Sequence, residues 1–377
     1  MPSSLYLTLL VGPMVPLPAP KPVIDALTSI TVTTSATGRS GFQLSFTLAD
    51  QSILQALFLL APPGVELRVV IMVTVNGIPQ VLMDGVMREH EVHPSAGSAG
   101  STMTITGEDL TAAMDLIQMN GLPAGMSPDL SVLMILARYA MYGVIPQVMP
   151  PLIPDIQIPV ERLPSQEGTD FAYINQLAQL VGYVFYIDPG PVPGTNKAYW
   201  GPQIKVGPVQ RALNIDMDAY TNVEGMHFTF DQEKNRIPMM FIYNEETGFT
   251  FPIPIPPITP LNPPLGLIPP LPANLIPDLK PFRDDLSKKP IPQAIMQGLA
   301  AAAEYAEAVS CEGSLDVTRY GGVLNARQLV GVRGAGPAFD GLYYVKSVTH
   351  KIKRGEYKQS FTLTRNGLVS TVSTVNL

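Results

Sequence analysis

Apolar and polar positions alternate with a period of two over much of this chain, which predicts strands with one dry and one wet face. Leu5, Leu7 and Leu9 alternate with Tyr6 and Thr8. Ile30, Val32 and Thr34 alternate, as do Phe42, Leu44, Phe46 and Leu48. Leu67–Val75 is a stronger apolar run ending at Asn76-Gly77, a dipeptide suited to a two-residue hairpin turn. Val81–Val92 and Met103–Ile105 complete a first set of about six strands, enough for a small antiparallel barrel or sandwich.

After Leu110 the period changes. Ser127-Pro128-Asp129 reads as a helix start, with Leu130, Leu133, Met134, Ala137 and Met141 on the expected inner face and Gly143 as a stop. A second helix is expected from Thr169 to Val181, with Phe171, Ile174, Leu177, Ala178 and Val181 on one face, then Gly182 and the strand Tyr183–Ile187. Strand patterning resumes at Leu213–Tyr243. A last helix is expected over Gln293–Val309, on Ile295, Leu299, Ala302, Ala306 and Val309, with Ala300–Ala303 permitting close approach of another backbone.

The chain repeats itself. Met83-Asp84-Gly85 opens one alternating stretch and Phe339-Asp340-Gly341 opens another. Each breaks at a polar loop and resumes, as Thr102-Met103-Thr104-Ile105-Thr106 and as Ser360-Phe361-Thr362-Leu363-Thr364. A weaker echo relates Phe46-Thr47-Leu48 to Phe228-Thr229-Phe230. The expected fold is therefore mainly β with an α+β insertion: two related antiparallel β-barrels in one chain plus a helix-containing inserted domain. The expected division is 1–110 for the first barrel, 111–206 for the insertion, and 207–250 with 309–368 for the second barrel. Residues 251–308 form a proline-rich strap plus helix, and 369–377 a tail.

The strap is unusual. Residues 251–292 hold fourteen prolines interleaved with Ile and Leu. Proline neither donates to a ladder nor sits inside a helix, so the segment is extended. Two readings stay open: a rigid strap over its own chain, or an arm docked on a neighbouring subunit through residues such as Pro256, Pro264 and Pro270.

Composition narrows the function classes. The 377 residues carry a net charge of −7, which argues against general nucleic-acid binding, and only 15% are charged, which points to surface hidden against partners. Cys311 is the single cysteine, so no intramolecular disulfide forms. The N-terminus lacks the basic residues and apolar length of a signal peptide, and no segment reaches the length of a membrane span, so synthesis in the cytoplasm without export is expected.

No residue set here carries catalytic chemistry. His90 and His93 are spaced by three on a strand, not by four on a helix, so no metal site is expected. Gly331-Val332-Arg333-Gly334-Ala335-Gly336 lacks the spacing and following helix of a nucleotide loop, and no cofactor is expected. Asp284-Asp285 and Glu245-Glu246 fall in expected loops. The C-terminal stretch groups Lys346, Lys351, Lys353, Arg354, Lys358 and Arg365 against Glu356 alone. Those cations either protect a sheet edge or meet an acidic protein partner.

The closing residues, Asp340 to Val345, Val348-Thr349-His350 and Gln359 to Arg365, resemble the late control D family of phages. That family takes in the baseplate hub of contractile tails and the hub part of VgrG spikes. Gln166 to Phe171 with Leu177, Gly182-Tyr183 and Phe185-Tyr186 also resemble that family's helix-and-strand motif. The resemblance implies a non-enzymatic structural protein: a homotrimer presenting six barrels in a ring. Its partners would be the inner tube protein, a separate spike protein and other baseplate proteins, within a phage tail or injection particle. The proline-rich strap departs from the family pattern. Alternative readings are a particle-associated cell-wall hydrolase and a secreted carbohydrate or adhesion module.

Overall fold

The structure is a computed structural model. It describes residues 5–48, 66–95, 100–118, 126–151, 166, 168–231, 239–243, 249–254, 261–268 and 291–371. Pro256, Pro270, Asp284, Asp285, Glu245, Glu246 and residues 372–377 lie outside the described residues.

In chain order the first stretch supplies β1 (Leu5–Gly12), β2 (Leu17–Pro18), α1 (Lys21–Ala26), β3 (Leu27–Ser35), β4 (Gly41–Leu48), β5 (Arg68–Val75), β6 (Ile78–His93) and β7 (Ser101–Asp109). Next come α2 (Pro128–Ala137), β8 (Val144–Val148), α3 (Asp170–Leu180), β9 (Val184–Pro189) and β10 (Asn196–Gly201). The remainder holds β11 (Val209–Asn214), β12 (Gly225–Phe230), β13 (Met239–Tyr243), β14 (Thr250–Pro254), β15 (Gly266–Ile268), α4 (Ile291–Tyr305), β16 (Val309–Asp316), α5 (Val317–Tyr320), β17 (Leu329–Arg333), β18 (Gly341–Lys353), β19 (Glu356–Arg365) and β20 (Leu368–Ser370).

The fold is mainly β, as expected. Two units share one topology and join into a single 13-stranded sheet. In the first, the spatial order is β3-β4-β7-β6-β5-β1; in the second, β12-β16-β19-β18-β17-β11. Taken along the chain, β1, β3, β4, β5, β6 and β7 correspond one for one to β11, β12, β16, β17, β18 and β19. Four of the five pairings in each unit are antiparallel in both; the fifth is antiparallel for β1–β5 and parallel for β11–β17.

Beyond the bulges the registers agree with the repeat read from the sequence. Glu91, seven residues after Asp84, pairs with Thr104; Ser347, seven after Asp340, pairs with Thr362. Both long strands carry a bulge against their partner, at Arg88 and at Lys346. One expectation fails. Phe228-Thr229-Phe230 lie on β12, whose position matches β3 and not the β4 segment Phe46-Thr47-Leu48. Short alternating triplets look alike on any strand, so only the longer pattern was specific.

The expected hairpin is present: Asn76 and Gly77 adopt φ of 53° and 83°, and β5 pairs with β6 across them. Inner-face residues from both units, among them Ile30, Leu44, Phe46, Ile105, Val348, Phe361 and Leu363, form one continuous core. The insertion packs a second core on its own three-stranded sheet, β8-β10-β9, around Trp200, Ile174, Leu177 and Phe185.

The helices depart in detail from the sequence reading. Helix α2 buries Ser131, Val132, Ile135 and Leu136 and leaves Leu130, Leu133 and Met134 exposed, the reverse of the expected face, and Met141 is exposed beyond its end. Its apolar residues surround the axis, so periodicity alone could not choose a side. It ends at Ala137, and Gly143, with φ of 73°, instead closes the short turn Ala140–Tyr142. Helix α4 stops at Tyr305, so Val309 begins β16 rather than ending the helix. Gly182 has φ of 69°, and a Cβ there would lie 2.5 Å from the Met296 carbonyl of α4. Ala300 also lies against it, as the small-residue run implied.

Candidate assembly surface

The outer face of the long sheet is built from residues that strands favour and water tolerates. Because side chains alternate, residues paired across neighbouring strands share a face. One row crosses seven strands as Glu89, Thr106, Gln43, Thr31, Lys351, Lys358 and Asp316. The next holds Thr33, Thr349, Ser360 and Ser314. Small hydroxyls dominate: Ser29, Ser45, Thr47, Thr102, Thr104, Ser347, Thr362 and Ser310 fill neighbouring rows on this face. A depression on it is lined by Thr31, Thr33, Gln43, Arg88, Glu89, Thr106 and Glu108.

The face is continuous because the units pair directly. Strand β18 of the second unit pairs with β3 of the first from Ser347↔Ser35 to Lys353↔Ser29. Across that seam the Thr33 and Thr349 hydroxyls lie 3.1 Å apart in a hydrogen bond.

Electrostatics tie the insertion to both units. Arg68 donates from Nε to Asp84 Oδ1 and from Nη2 to Oδ2, both at 2.7 Å, and from Nη2 to the Tyr142 carbonyl at 2.8 Å. Asn196 Nδ2 donates to Asp84 Oδ2 at 2.9 Å. On the second unit, Arg327 pairs with Asp188 of β9 and sits 3.9 Å over the Tyr186 ring. Glu307 accepts from Lys205 at 2.7 Å and Lys346 at 3.1 Å. Its burial pushes the carboxyl pKa up, but the two lysines outweigh that and hold it below the usual range.

The sequence-derived cations scatter across this architecture. Lys346 is the bulge residue and already faces Glu307. Lys358 pairs with Glu224 at 2.7 Å and Glu356 at 3.4 Å. Arg354 donates to the Asp25 carbonyl. Lys351 and Lys353 are exposed on the outer face. Pro264 is exposed in a stretch that lies along its own chain: Leu265 N donates to Asn366 Oδ1 at 2.7 Å, Lys205 N to the Leu261 carbonyl at 2.8 Å, and β15 pairs with β20. Of the proline-rich stretch, residues 261–268 therefore lie against their own chain, and residues 251–254 belong to β14, which pairs with β13.

The sequence reading missed the hydroxyl-rich face, although its signal was present in Thr102, Thr104 and Thr106 and in Ser360 and Thr362. Arg365, read from the sequence as one of the C-terminal surface cations, is instead buried; it donates to the Asp340 and Ala338 carbonyls at 2.8 and 2.6 Å and lies 4.5 Å over the Tyr343 ring. Among the described residues no group of three or more His, Cys, Asp or Glu is placed to hold a metal ion, and no helix is long and apolar enough to cross a membrane. His90 and His93 are both exposed.

No protein-family profile matches the chain, and no curated protein matches it in sequence. Solved structures do match in shape. A tail protein from Neisseria meningitidis MC58 superposes with a TM-score of 0.61 at 14% identity, covering 97% of this chain and 98% of that one. The 43 kDa tail protein of prophage MuSo2 from Shewanella oneidensis gives 0.58 at 15% identity, covering 96% and 98%.

The chain has a phage tail-protein fold.

The same fold extends to a PdpA–VgrG complex from Francisella, with a TM-score of 0.59 at 10% identity over 99% of this chain and 55% of that one.

Proposed function

We propose that this protein is the structural hub of a contractile tail or tail-like injection particle, a homotrimer whose two β units per chain present six near-equivalent surfaces. A ring of identical chains has only its own rotational symmetry, so doubling the unit within each chain is what lets three copies meet a sixfold tube. The inner tube protein would sit on one side of the ring, with a separate trimeric spike and other baseplate proteins on the other. The role is assembly rather than catalysis.

The observation that carries this reading is the polar outer face that runs over eight consecutive strands, β12-β16-β19-β18-β3-β4-β7-β6, rich in serine and threonine from β16 to β7 and carrying Glu89, Glu91 and His93 on β6. A sheet whose outer face met bulk solvent in a monomer would need no such continuity between two repeats. The serines and threonines satisfy water and fit the pleat, and charged side chains of both signs, Glu89, Lys351, Lys358 and Asp316, stand among them. Turned inward, the face would line the bore.

Light scattering on the purified chain tests this. The expected mass is three times 40.7 kDa. A species of one chain mass at every concentration up to the solubility limit would overturn the reading.

A further inference from the structure

The seam inside one chain describes the seam between chains. Strand β3 of the first unit pairs with β18 of the second. Their counterparts are β12 and β6. Among the described residues β12 pairs only with β16, and β6 beyond Met87 pairs only with β7. We infer that β12 of one copy pairs with the outer part of β6 of the next copy, repeating between chains the pairing that β3 and β18 make within one. This rests on the ring reading above and names its interface.

Equivalent residues show what is uncovered. Val92 pairs with Met103 as Val348 pairs with Phe361, eight residues after Asp84 and Asp340 respectively. Val348 is 0% exposed at the internal seam, whereas Val92 is 41% exposed. On the other edge, the row Ile30–Leu44–Ile105 corresponds to Phe228–Cys311–Leu363. Ile30 is 1% exposed, whereas Phe228 is only partly buried. From Arg88 to His93 every residue of β6 is exposed, so both faces of the strand are wet. A strand wet on both faces gains little from standing alone and is a template for another edge.

The contact is head to tail: each copy gives β12 to one neighbour and β6 to the other, and three such contacts close a ring. Carrying the internal register across, Thr349 and Thr33 map to His93 and Asp231, and Lys351 and Thr31 map to Ser95 and Thr229. The first mapped pair places a histidine opposite a carboxylate.

Two differently tagged copies, one Ser95→Cys and one Thr229→Cys, are co-expressed and oxidised; a second experiment uses His93→Cys with Asp231→Cys. The native Cys311 is buried and stays unreacted. A disulfide needs Cα atoms within about 7 Å, so only direct strand pairing brings the two tags together. The expected result is a covalent dimer carrying both tags in at least one experiment, with covalent trimers when both cysteines are placed in one chain. Assemblies of three chain masses that yield no mixed dimer in either experiment would overturn the β12–β6 seam while leaving the ring reading intact. A single chain mass with no crosslink would overturn both.

Discussion

Asp84 and Arg68 form a two-pronged ion pair with almost no solvent contact, their side chains 0% and 4% exposed. The pair lies where the first β unit meets the insertion, and the same guanidinium also reaches the carbonyls of Met14, Tyr142 and Gly194. Removing one partner leaves a buried charge uncompensated, which costs about 3–5 kcal/mol. Asp84→Ala and Arg68→Ala are each expected to lose that much by urea denaturation. The double variant is expected to lose less than the two together, because neither charge is stranded.

Asp340 occupies the equivalent position and does different work. Its carboxylate accepts only from Ala335 N, at 2.8 Å, among the contacts of the described residues, while its carbonyl receives Arg365. An asparagine oxygen accepts that amide hydrogen equally well. Asp340→Asn is therefore expected to cost about 1 kcal/mol or less, against several for Asp84→Asn, under the same denaturant assay.

That contrast marks what the sequence could reveal. The Asp-Gly pairs were legible as a repeat because both copies need a glycine at this point, one for a close approach and the other for its backbone angle. A Cβ on Gly85 would lie 2.1 Å from the Glu108 carbonyl, and Gly341 takes φ of 129°. Strands β1, β3 and β4 were legible because each has one apolar face, and β5 because it is a continuous apolar run buried on both faces. What was not legible depends on tertiary partners. The inner side of α2 is chosen by the sheet it packs on, since Leu130 and Leu133 are as apolar as Val132 and Ile135. Lys346 reads as a free surface cation until the fold brings Glu307 beside it. The hydroxyl face looks like ordinary strand alternation until β3 and β18 join two units 316 positions apart in the chain at Thr33 and Thr349.

Glu307 gives a second electrostatic test. It is buried beside Lys205, which is itself 3% exposed. Glu307→Gln would strand the Lys205 charge, and a loss of about 3–5 kcal/mol is expected at neutral pH. The wild-type carboxyl has its folded pKa below the unfolded value, so its contribution is present above the unfolded pKa and is lost as pH falls through the folded one. Denaturant midpoints at pH 7 and in acid should therefore converge for the variant and the wild type.

His350 gives the last test, with its sign set by burial. Its Nδ1 lies 2.8 Å from the Tyr357 hydroxyl and 3.3 Å from Gln359 Nε2, and the ring is 4% exposed. Burial pushes its pKa down to about 3, so the folded protein keeps the ring neutral where the unfolded chain protonates it. Between those two values the unfolded state binds the extra proton, and stability must fall as pH falls, by up to about 1.4 kcal/mol per pH unit from this group. His350→Gln removes the titration while keeping a polar side chain beside Tyr357. The slope of unfolding free energy against pH between 6 and 4 is expected to be shallower in the variant by most of that amount. An unchanged slope would show that His350 is protonated in the fold, contrary to its dry surroundings.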